Sequence, residues 1–262
     1  MTSHPNFTPK ISIISPIYNV NSFLVSTHES IKAQTFFDWE WIIVNDGSTD
    51  SSAEICNTLA STDPRIRLFH LPRNMGRGFA RNFALFHVKS PFTTIWDVDD
   101  TYPSTRLANI FNLLNSGCDY CWEPVYIVNS KNAILRKLPY AGLSYFPLPF
   151  HNTLSYKTSL GLSYLYQMLG TYGGIGEDYY LVYALAVKHT GKSIPSYSRY
   201  FLSREQSNLK TFHSHLGRIL ALIRIFFNQD LPFTRRLCLF SIYSPKAIVG
   251  LAFSSIRFIF NR

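Results

Sequence analysis

The chain has 262 residues, 46% of them hydrophobic and 16% aromatic, so it can bury a substantial core and is not a disordered segment. Its four cysteines are too few for a disulfide-stapled class, and the close pair Cys118 and Cys121 is interpreted as ordinary buried thiols. The formal net charge is +9. Residues 211–262 hold seven basic residues and one acid, so they carry two thirds of this excess. That imbalance predicts an anionic surface as a partner.

In chain order, short apolar runs alternate with amphipathic stretches from residue 11 to about residue 130, a pattern typical of repeated βα units. Strands are predicted over 11–15, 41–45, 66–71 and 92–96, and helices over about 21–34, 50–59, 76–88 and 104–116. The stretch CDYCWEPVYIVNS (118–130) is predicted to form a further strand with a less regular neighbour. The predicted fold class is α/β, with a Rossmann-like, doubly wound and mostly parallel sheet that has helices on both faces.

The second half of the chain is less regular. Residues 131–172 are rich in Pro, Tyr, Ser and Gly, and we expect loops and short elements there, over the open side of the sheet. A helix is predicted after the acids of GEDYYLVYALAVKHTG (176–191). We divide the chain into a domain of residues 1–210, with a first half at about 11–120 and a second at about 121–210, and a helical extension of residues 211–262.

An acidic cluster follows the fourth predicted strand, in the sequence WDVDD (96–100). In an open α/β sheet, ligands bind at the carboxyl ends of the strands. Asp97 and Asp99 project to the same side of an extended chain, and two close carboxylates repel unless a cation lies between them. An all-oxygen site favours Mg²⁺ or Mn²⁺. The alternative is a capped turn in which Asp100 serves only the chain.

Three more segments follow predicted strands or begin the next helix, and with WDVDD they all point to one edge of the sheet. They are SPIYNV (15–20), VNDGSTD (44–50) and NMGRGFARN (74–82). Together the four motifs resemble the donor half of the inverting family 2 glycosyltransferases, which have the GT-A fold. The resemblance is close over roughly residues 11–120 and looser through Asp178.

The resemblance implies that the first two motifs supply nucleoside-binding residues. Pro16, Tyr18 and Asn19 would line the nucleoside, although Pro and Asn also favour a plain turn. Asp46 matches the acid that binds the base or ribose, and Gly47 lets the chain turn tightly beside the ligand. The family more often has two acids where this chain has Asn45 and Asp46.

The last two motifs supply the diphosphate and metal contacts. By resemblance, Arg81 faces the nucleotide, Asp97 lies near the sugar or ribose, and Asp99 is the direct metal ligand. A solvated arginine on a helix face is the alternative for Arg81. The implied cofactor is a divalent cation, Mn²⁺ or Mg²⁺.

An inverting transfer also needs a general base, because a neutral acceptor hydroxyl is a poor nucleophile. The segment GGIGEDYYL (173–181) matches the family's ED element, and the resemblance gives this role to Asp178, with Glu177 beside it. Acids at a helix N-terminus are also favoured by the helix dipole whatever the function.

Two departures from the family pattern concern the segment YFLSREQSNLK (200–210) and the processive signature. Arg204 and Ser207 fit a later family motif, but its His is absent, which puts a third protein metal ligand in doubt. The QxxRW sequence of processive members is absent, which argues for the addition of a single sugar.

The sequence thus predicts a metal-dependent inverting glycosyltransferase that uses a nucleotide-diphosphate sugar and a glycan or lipid-linked acceptor. It could also be a nucleotide-binding, membrane-associated scaffold without turnover. A sugar-nucleotide pyrophosphorylase fits less well, because SPIYNV stands where that class needs a Gly- and Arg-rich loop.

The basic extension, residues 211–262, is the last predicted feature. Its apolar runs are shorter than the roughly 20 residues that a bilayer span needs. Arginines beside Leu, Ile and Phe are typical of amphipathic helices that lie on an anionic membrane, and we expect this partner and no nucleic acid. A helical hairpin packed on the domain, or a dimer contact, is the alternative. The N-terminus has no basic start followed by an apolar core, so we expect a cytoplasmic protein, peripheral on the inner face of the membrane.

Overall fold

We describe the fold from a computed structural model of the chain. The description covers residues 8–128, 133–139, 141–143, 146–166 and 178–201, together with 219–224, 226–227, 233–234 and 237 of the extension. Within these ranges, no helix combines the length and hydropathy that a membrane crossing requires. Glu177, Arg204 and Ser207 lie outside the described residues.

The first half of the chain alternates strands and helices as its sequence predicts. The strands are β1 (Ile11–Ile17), β2 (Trp39–Asn45), β3 (Ile66–His70) and β4 (Phe92–Ile95). The helices are α1 (Asn21–Lys32), α2 (Ser52–Thr62), α3 (Arg77–Phe86) and α4 (Arg106–Asn115). Each predicted element between residues 11 and 116 is therefore confirmed, with its ends shifted by a few residues.

Short strands dominate the second half. They are β5 (Tyr120–Trp122), β6 (Val125–Val128), β7 (Ile134–Leu138), β8 (Ala141–Leu143), β9 (Phe146–Leu148), β10 (Ser155–Lys157), β11 (Gly191–Ser193) and β12 (Ser198–Phe201). A 3-10 turn at His151–Thr153 and helices α5 (Thr158–Ser163) and α6 (Tyr179–Lys188) complete the set. The helix predicted after the acids of residues 176–191 is thus confirmed as α6.

The main sheet has seven strands in the order β11-β5-β10-β4-β1-β2-β3. Its central strands β4, β1, β2 and β3 are parallel, so their carboxyl ends meet at one edge. A second sheet has the order β12-β6-β7, and β8 pairs with β9. The predicted α/β class with a mostly parallel sheet is confirmed.

Both faces of the main sheet are buried, because successive side chains of a strand point to opposite faces. On β2, Ile42 and Val44 pack on one face with α3 and α6. Trp41 and Ile43 pack on the other face with α1, α2 and α4. Strands buried on both faces read as continuous apolar runs, which explains the sequence WIIV.

Residues 118–130, predicted to form a strand with a less regular neighbour, form two short strands that belong to different sheets. The segment forms β5 in the main sheet and β6 in the second sheet, separated by Glu123 and Pro124. Proline has no backbone N–H and cannot continue the ladder. The carbonyl of Pro124 instead accepts a hydrogen bond from the N–H of Ser198 at 3.0 Å, which begins the pairing of β6 with β12.

The expectation of only loops and short elements over the sheet between residues 131 and 172 is wrong in one respect. Strand β10 lies inside the main sheet, antiparallel to both β4 and β5. Hydroxyl pairs hold it there: Thr94 Oγ1 lies 2.8 Å from Ser155 Oγ, and Thr93 Oγ1 lies 2.9 Å from Thr158 Oγ1. Because β10 has only three residues, it is too short to show the period of a strand, so the insertion has little trace in the sequence.

The described part of the C-terminal extension is helical, as predicted. Its first turns pack on the domain, because Ala221 and Leu222 are buried in the core cluster that contains α6. The guanidinium of Arg224 lies 3.9 Å from the ring centroid of Tyr180. Residues 219–224 therefore contact the domain, whereas Phe227 and Phe233 are exposed.

Candidate active site

The loops after β1 and β2 are joined by hydrogen bonds at the carboxyl edge of the sheet. Asn19 has a positive φ of 54°, which asparagine tolerates better than most residues. Its N–H donates to Ser48 Oγ at 3.0 Å, and its Oδ1 accepts from the N–H of Thr49 at 2.8 Å. Pro16 lies in β1, and Tyr18, the first residue after this strand, is 43% exposed. The predicted nucleoside-binding residues are thus adjacent, with a tyrosine ring exposed beside them.

Asp46 is only 3% exposed, and it holds the start of α3 in place. Its carboxylate accepts backbone N–H bonds from Met75 at 2.6 Å and Gly76 at 2.9 Å. Burial raises the pKa of Asp46, and these two hydrogen bonds oppose the increase. Asp46 therefore ties the motif of residues 44–50 to that of residues 74–82, a contact that spacing alone does not reveal.

Gly47 and Asn45 complete this turn. Gly47 has a φ of 71°, and a Cβ there would come within 2.5 Å of the Arg73 carbonyl carbon. The turn therefore requires glycine at this position. Asn45 Oδ1 accepts the N–H of Ser48 at 3.0 Å, and its amide group lies 3.0 Å from His70 Nδ1. The amide group of Asn45 thus contacts both the backbone of this turn and the imidazole of His70.

The acidic cluster follows β4 as predicted. Val98 packs into the core at 7% exposure, and Asp97 and Asp99 flank it. Asp97 Oδ1 lies 3.3 Å from Arg81 Nη2, and the Arg81 side chain is only 3% exposed. Arg81 is therefore a buried cation at the site and not a solvated arginine on a helix face.

Asp99 is exposed to solvent, as a ligand of an incoming cation must be. The pKa of Asp99 is nevertheless raised, first because nearby protein atoms displace water from its carboxyl group and second because of the negative charge of Asp97. No group of three metal-binding side chains occurs among the described residues. A divalent cation held by these carboxylates would therefore complete its shell with phosphate and water oxygens, as Mg²⁺ commonly does.

A cavity of about 280 Å³ opens beside Arg81 and Asp97. Its polar and charged lining consists of Arg77, Arg81, Asp97, His151, Asn152 and Asp178. Its apolar lining consists of Val125, Ile127, Leu138 and Phe150. Strand β6 and its neighbour β7 thus supply three of the four apolar lining residues.

Asp178 stands at the start of α6, and its side chain is 27% exposed. It lines the same cavity as Arg81 and Asp97, although more than 80 residues separate it from them in sequence. The structure thus brings three predicted site residues together. The other five predicted residues are not among the described residues that line this cavity. They are Pro16, Tyr18, Asn19, Asp46 and Asp99.

Sequence reasoning missed three of the polar and charged residues of the cavity. Arg77 opens α3 four positions before Arg81, so both arginines lie on one face of the helix, and the letters RGFAR could have indicated the pair. His151 and Asn152 come from a stretch without periodicity or a motif. Nothing in the sequence links them to Asp97 or Asp178.

Three comparisons with known proteins identify the family and the fold. Residues 12–166 match the family model "Glycosyl transferase family 2". Glycosyltransferase GlyG of Streptococcus pneumoniae is 37% identical over 101 residues, which is 38% of this chain and 34% of GlyG. The putative teichuronic acid biosynthesis glycosyltransferase TuaG of Bacillus subtilis is 34% identical over 102 residues, 39% of this chain and 40% of TuaG. The chain thus matches less than half of the length of these curated relatives.

Solved structures share the fold at low identity. The mannosyltransferase PcManGT of Pyrobaculum calidifontis, in complex with GDP-Man and Mn²⁺, superposes with a TM-score of 0.70 at 15% identity, over 95% of this chain and 75% of that one. TarS of S. aureus in complex with UDP-GlcNAc gives 0.67 at 19% identity, over 88% and 70%. With the family match covering more than half of its residues, the chain belongs to glycosyl transferase family 2.

Proposed function

We propose that this protein is a metal-dependent inverting glycosyltransferase of the hexosyltransferase type. It transfers one sugar from a nucleotide-diphosphate sugar to a hydroxyl of a glycan or lipid-linked acceptor. The observation that carries the proposal is the cavity that Arg81, Asp97 and Asp178 line together. A cationic side and a carboxylate on another wall are what a diphosphate leaving group and an acceptor hydroxyl require.

On the donor side, Arg81 and Arg77 provide fixed positive charge for the diphosphate. Arg81 is held by Asp97 at 3.3 Å, so its position is set before a ligand arrives. Asp97 and Asp99 would hold the divalent cation, which would neutralise negative charge on the departing diphosphate. Pro16, Tyr18, Asn19 and Asp46 would enclose the nucleoside at the neighbouring loops.

On the acceptor side, Asp178 is the general base. As the acceptor oxygen attacks the anomeric carbon, the bond from that carbon to the diphosphate oxygen breaks and the hydroxyl proton passes to the carboxylate of Asp178. Attack from the face opposite the leaving group inverts the anomeric configuration. The apolar wall formed by Val125, Ile127 and Phe150 suits the apolar face of a sugar ring.

The cellular role that we propose is synthesis of cell-surface polysaccharide. This is supported by the name of TuaG, which refers to teichuronic acid biosynthesis, and by a second relative named teichoic acid poly(glycerol phosphate) polymerase, from Staphylococcus epidermidis, 36% identical over 108 residues. Residues 1–210 would form the catalytic domain. The basic residues of 211–262 would contact the inner face of an anionic membrane, where lipid-linked acceptors are found.

A calorimetric titration tests the donor site. UDP, GDP and dTDP are titrated with and without Mn²⁺ into the wild type, Asp99→Ala and the matched control Asp38→Ala, an exposed acid at the opposite edge of the sheet. We expect one nucleotide to bind in a Mn²⁺-dependent way to the wild type and the control but not to Asp99→Ala. Binding of none of the three would overturn the donor-site assignment.

Measurement of turnover tests the role of Asp178 as the general base. With the donor that the titration identifies and a set of glycan and lipid-linked acceptors, Asp178→Asn should lower kcat by about 10²- to 10⁴-fold while nucleotide affinity stays unchanged. Equal turnover by Asp178→Asn and the wild type would remove Asp178 from the mechanism. Nucleotide binding without turnover on any acceptor would favour the scaffold function.

A further inference from the structure

The 3-10 turn at His151–Thr153 joins the acidic loop to the second half of the chain, and neither a sequence motif nor the proposed chemistry uses it. Asn152 Nδ2 donates to Asp100 Oδ2 at 2.7 Å, and the hydroxyl of Tyr102 donates to the carbonyl of Asn152 at 3.1 Å. Thr153 Oγ1 donates to the carbonyl of Glu123 at 2.8 Å. The turn is therefore held on both sides by hydrogen bonds.

Its first residue, His151, faces the proposed general base. His151 Nδ1 lies 3.9 Å from Asp178 Oδ2, and only 9% of the His151 side chain is exposed. The other ring nitrogen, Nε2, lies 2.9 Å from the hydroxyl of Tyr166. The His151 ring stands edge-on to the ring of Tyr166, with the planes at 89°. The imidazole is thus fixed at one end and directed at Asp178 from the other.

The proton positions follow from the surroundings. Burial lowers the pKa of His151 well below its usual value, and the charges of Arg81 and Arg77 lower it further, so the ring is neutral near pH 7. Burial raises the pKa of Tyr166, so its hydroxyl keeps its proton and can donate to Nε2. We assign the single ring proton to Nδ1, facing the carboxylate, because this tautomer leaves Nε2 free to accept from the hydroxyl of Tyr166.

We propose that His151 is a positioning residue for the transfer reaction, whose Nδ1–H orients the carboxylate of Asp178 while Tyr166 fixes the imidazole. This role rests on the proposed function, because it acts through Asp178. His151 neither gains nor loses a proton in the reaction. The acceptor proton goes to Asp178, and the imidazole keeps that carboxylate aimed and favours its charged form.

Two substitutions of His151 test this role, one that removes both ring nitrogens and one that keeps a single N–H donor. His151→Phe keeps the ring shape and removes both nitrogens, whereas His151→Asn keeps an N–H donor near the position of Nδ1. We expect His151→Phe to lower kcat by about 10- to 100-fold, with the donor KM unchanged, because a misplaced base slows only the chemical step. His151→Asn should recover part of the loss, and Tyr166→Phe should give a smaller loss.

The pH dependence of kcat provides a readout that a purely structural role would not move. Because the N–H group favours the charged carboxylate, the acid limb of the pH–kcat profile should move to higher pH in His151→Phe and return toward that of the wild type in His151→Asn. The matched control is His28→Phe, since His28 is a buried histidine 3.5 Å from Asp63 and outside the cavity. Per folded molecule, this control should keep the wild-type kcat and the wild-type acid limb.

Folding of each variant is followed by its thermal midpoint and by calorimetric titration of the nucleotide, so a loss of fold is separated from a loss of turnover. In one outcome, His151→Phe has the kcat and the acid limb of the wild type while Asp178→Asn is inactive. That result would overturn the role of His151 and leave the proposed function intact. Equal loss in His151→Phe and His151→Asn would also overturn the role of His151. Absence of turnover by the wild type would contradict the proposed function and this role together.

Discussion

Arg81 and Asp97 come from two different sequence motifs, each of which predicted a donor contact, and the structure pairs them at 3.3 Å. The pairing matters because an isolated buried cation is costly to hold. Asp97 offsets that cost while the cavity is free of diphosphate. Each candidate site residue could therefore be singled out from its motif, but the contact between the two could not be predicted.

His151 marks the limit of residue-by-residue prediction. It lies 27 positions before Asp178 in a stretch without periodicity, and its nearest partners come from α6 and from Tyr166. A histidine in such a stretch is more often a surface residue or a satisfied core residue than part of a site. Its importance depends on distances, and only the folded chain supplies them.

The buried His151 also predicts how stability depends on pH. In the unfolded chain it takes up a proton near pH 6.5, whereas in the folded protein burial lowers its pKa, and the charges of Arg81 and Arg77 lower it further. The unfolded state therefore binds more protons below pH 6.5, and the free energy of unfolding decreases as pH falls, by up to about 1.4 kcal/mol per pH unit until the folded pKa is reached. This contribution is fully present above pH 6.5.

Urea unfolding of the wild type and of His151→Asn at pH 7.0, 6.0 and 5.0 measures the contribution of His151 to the pH dependence of stability. Because asparagine does not titrate, the variant should lose less stability than the wild type over this range. The pKa of His189 is also lowered by burial, and since both proteins retain that residue, its contribution cancels in the comparison. Identical pH dependence in the two proteins would contradict a neutral, buried His151.

At the scale of elements, the prediction succeeded where hydrophobic periodicity was strong. The runs ISIIS and WIIVN became β1 and β2, and NMGRGFARN began α3. It was least specific between residues 118 and 157, where β5, β6 and β10 have three or four residues each and the place of β10 inside the main sheet was not predicted. Strands of that length carry too few residues to show a period, and long-range pairing decides their place.

Buried charges fix this irregular half to the acidic loop. Arg106 on α4 and Glu123 after β5 form an ion pair at 3.3 Å, and both side chains are fully buried. The same guanidinium donates to the carbonyl of Ile95 at 3.0 Å, two residues before Asp97. Hydroxyl groups of Ser196 and Ser198 donate to the carboxylate of Glu123. One buried pair therefore connects β4, α4 and the segment before β12.

Glu123→Ala should be strongly destabilising, because it leaves the Arg106 cation buried without its counter-charge. We expect the free energy of unfolding to fall by about 3–5 kcal/mol. Urea unfolding followed by tryptophan fluorescence measures the change. The double variant Arg106→Met with Glu123→Leu should be more stable than Glu123→Ala, since it removes both charges.

The matched control is the exposed pair Lys32 and Glu29, whose side chains are 46% and 63% exposed at a separation of 3.4 Å. Glu29→Ala should have little effect, because solvent screens such pairs. A loss in Glu123→Ala no larger than that in Glu29→Ala would mean that the buried pair does not hold these elements together.

At the scale of the whole molecule, charge is distributed unevenly, and two thirds of the net +9 falls on residues 211–262. The described start of this extension packs on the domain through Ala221 and Leu222, in part agreement with the packed-hairpin alternative. Further along it, Phe227, Phe233 and Leu237 are 73%, 59% and 44% exposed. Exposed apolar residues among arginines are the combination that binds an anionic membrane surface.

We therefore expect the protein to sediment with vesicles that contain anionic lipid and not with neutral vesicles. Each Lys or Arg near such a surface contributes about 1 kcal/mol at low salt, so binding should weaken as ionic strength rises. The triple variant Phe227→Ser, Phe233→Ser and Leu237→Ser should lose most of the binding. The matched control is Phe37→Ser with Phe86→Ser, two phenylalanines of the domain that are 65% and 64% exposed.

The control should sediment like the wild type, because Phe37 and Phe86 belong to the domain and not to the basic extension. Equal binding by both multiple variants and the wild type would show that charge alone, without insertion of these side chains, attaches the protein. No binding of the wild type would contradict the membrane assignment. In that case, a change from dimer to monomer in the triple variant, measured by light scattering, would identify the exposed residues as a contact between two copies of the chain.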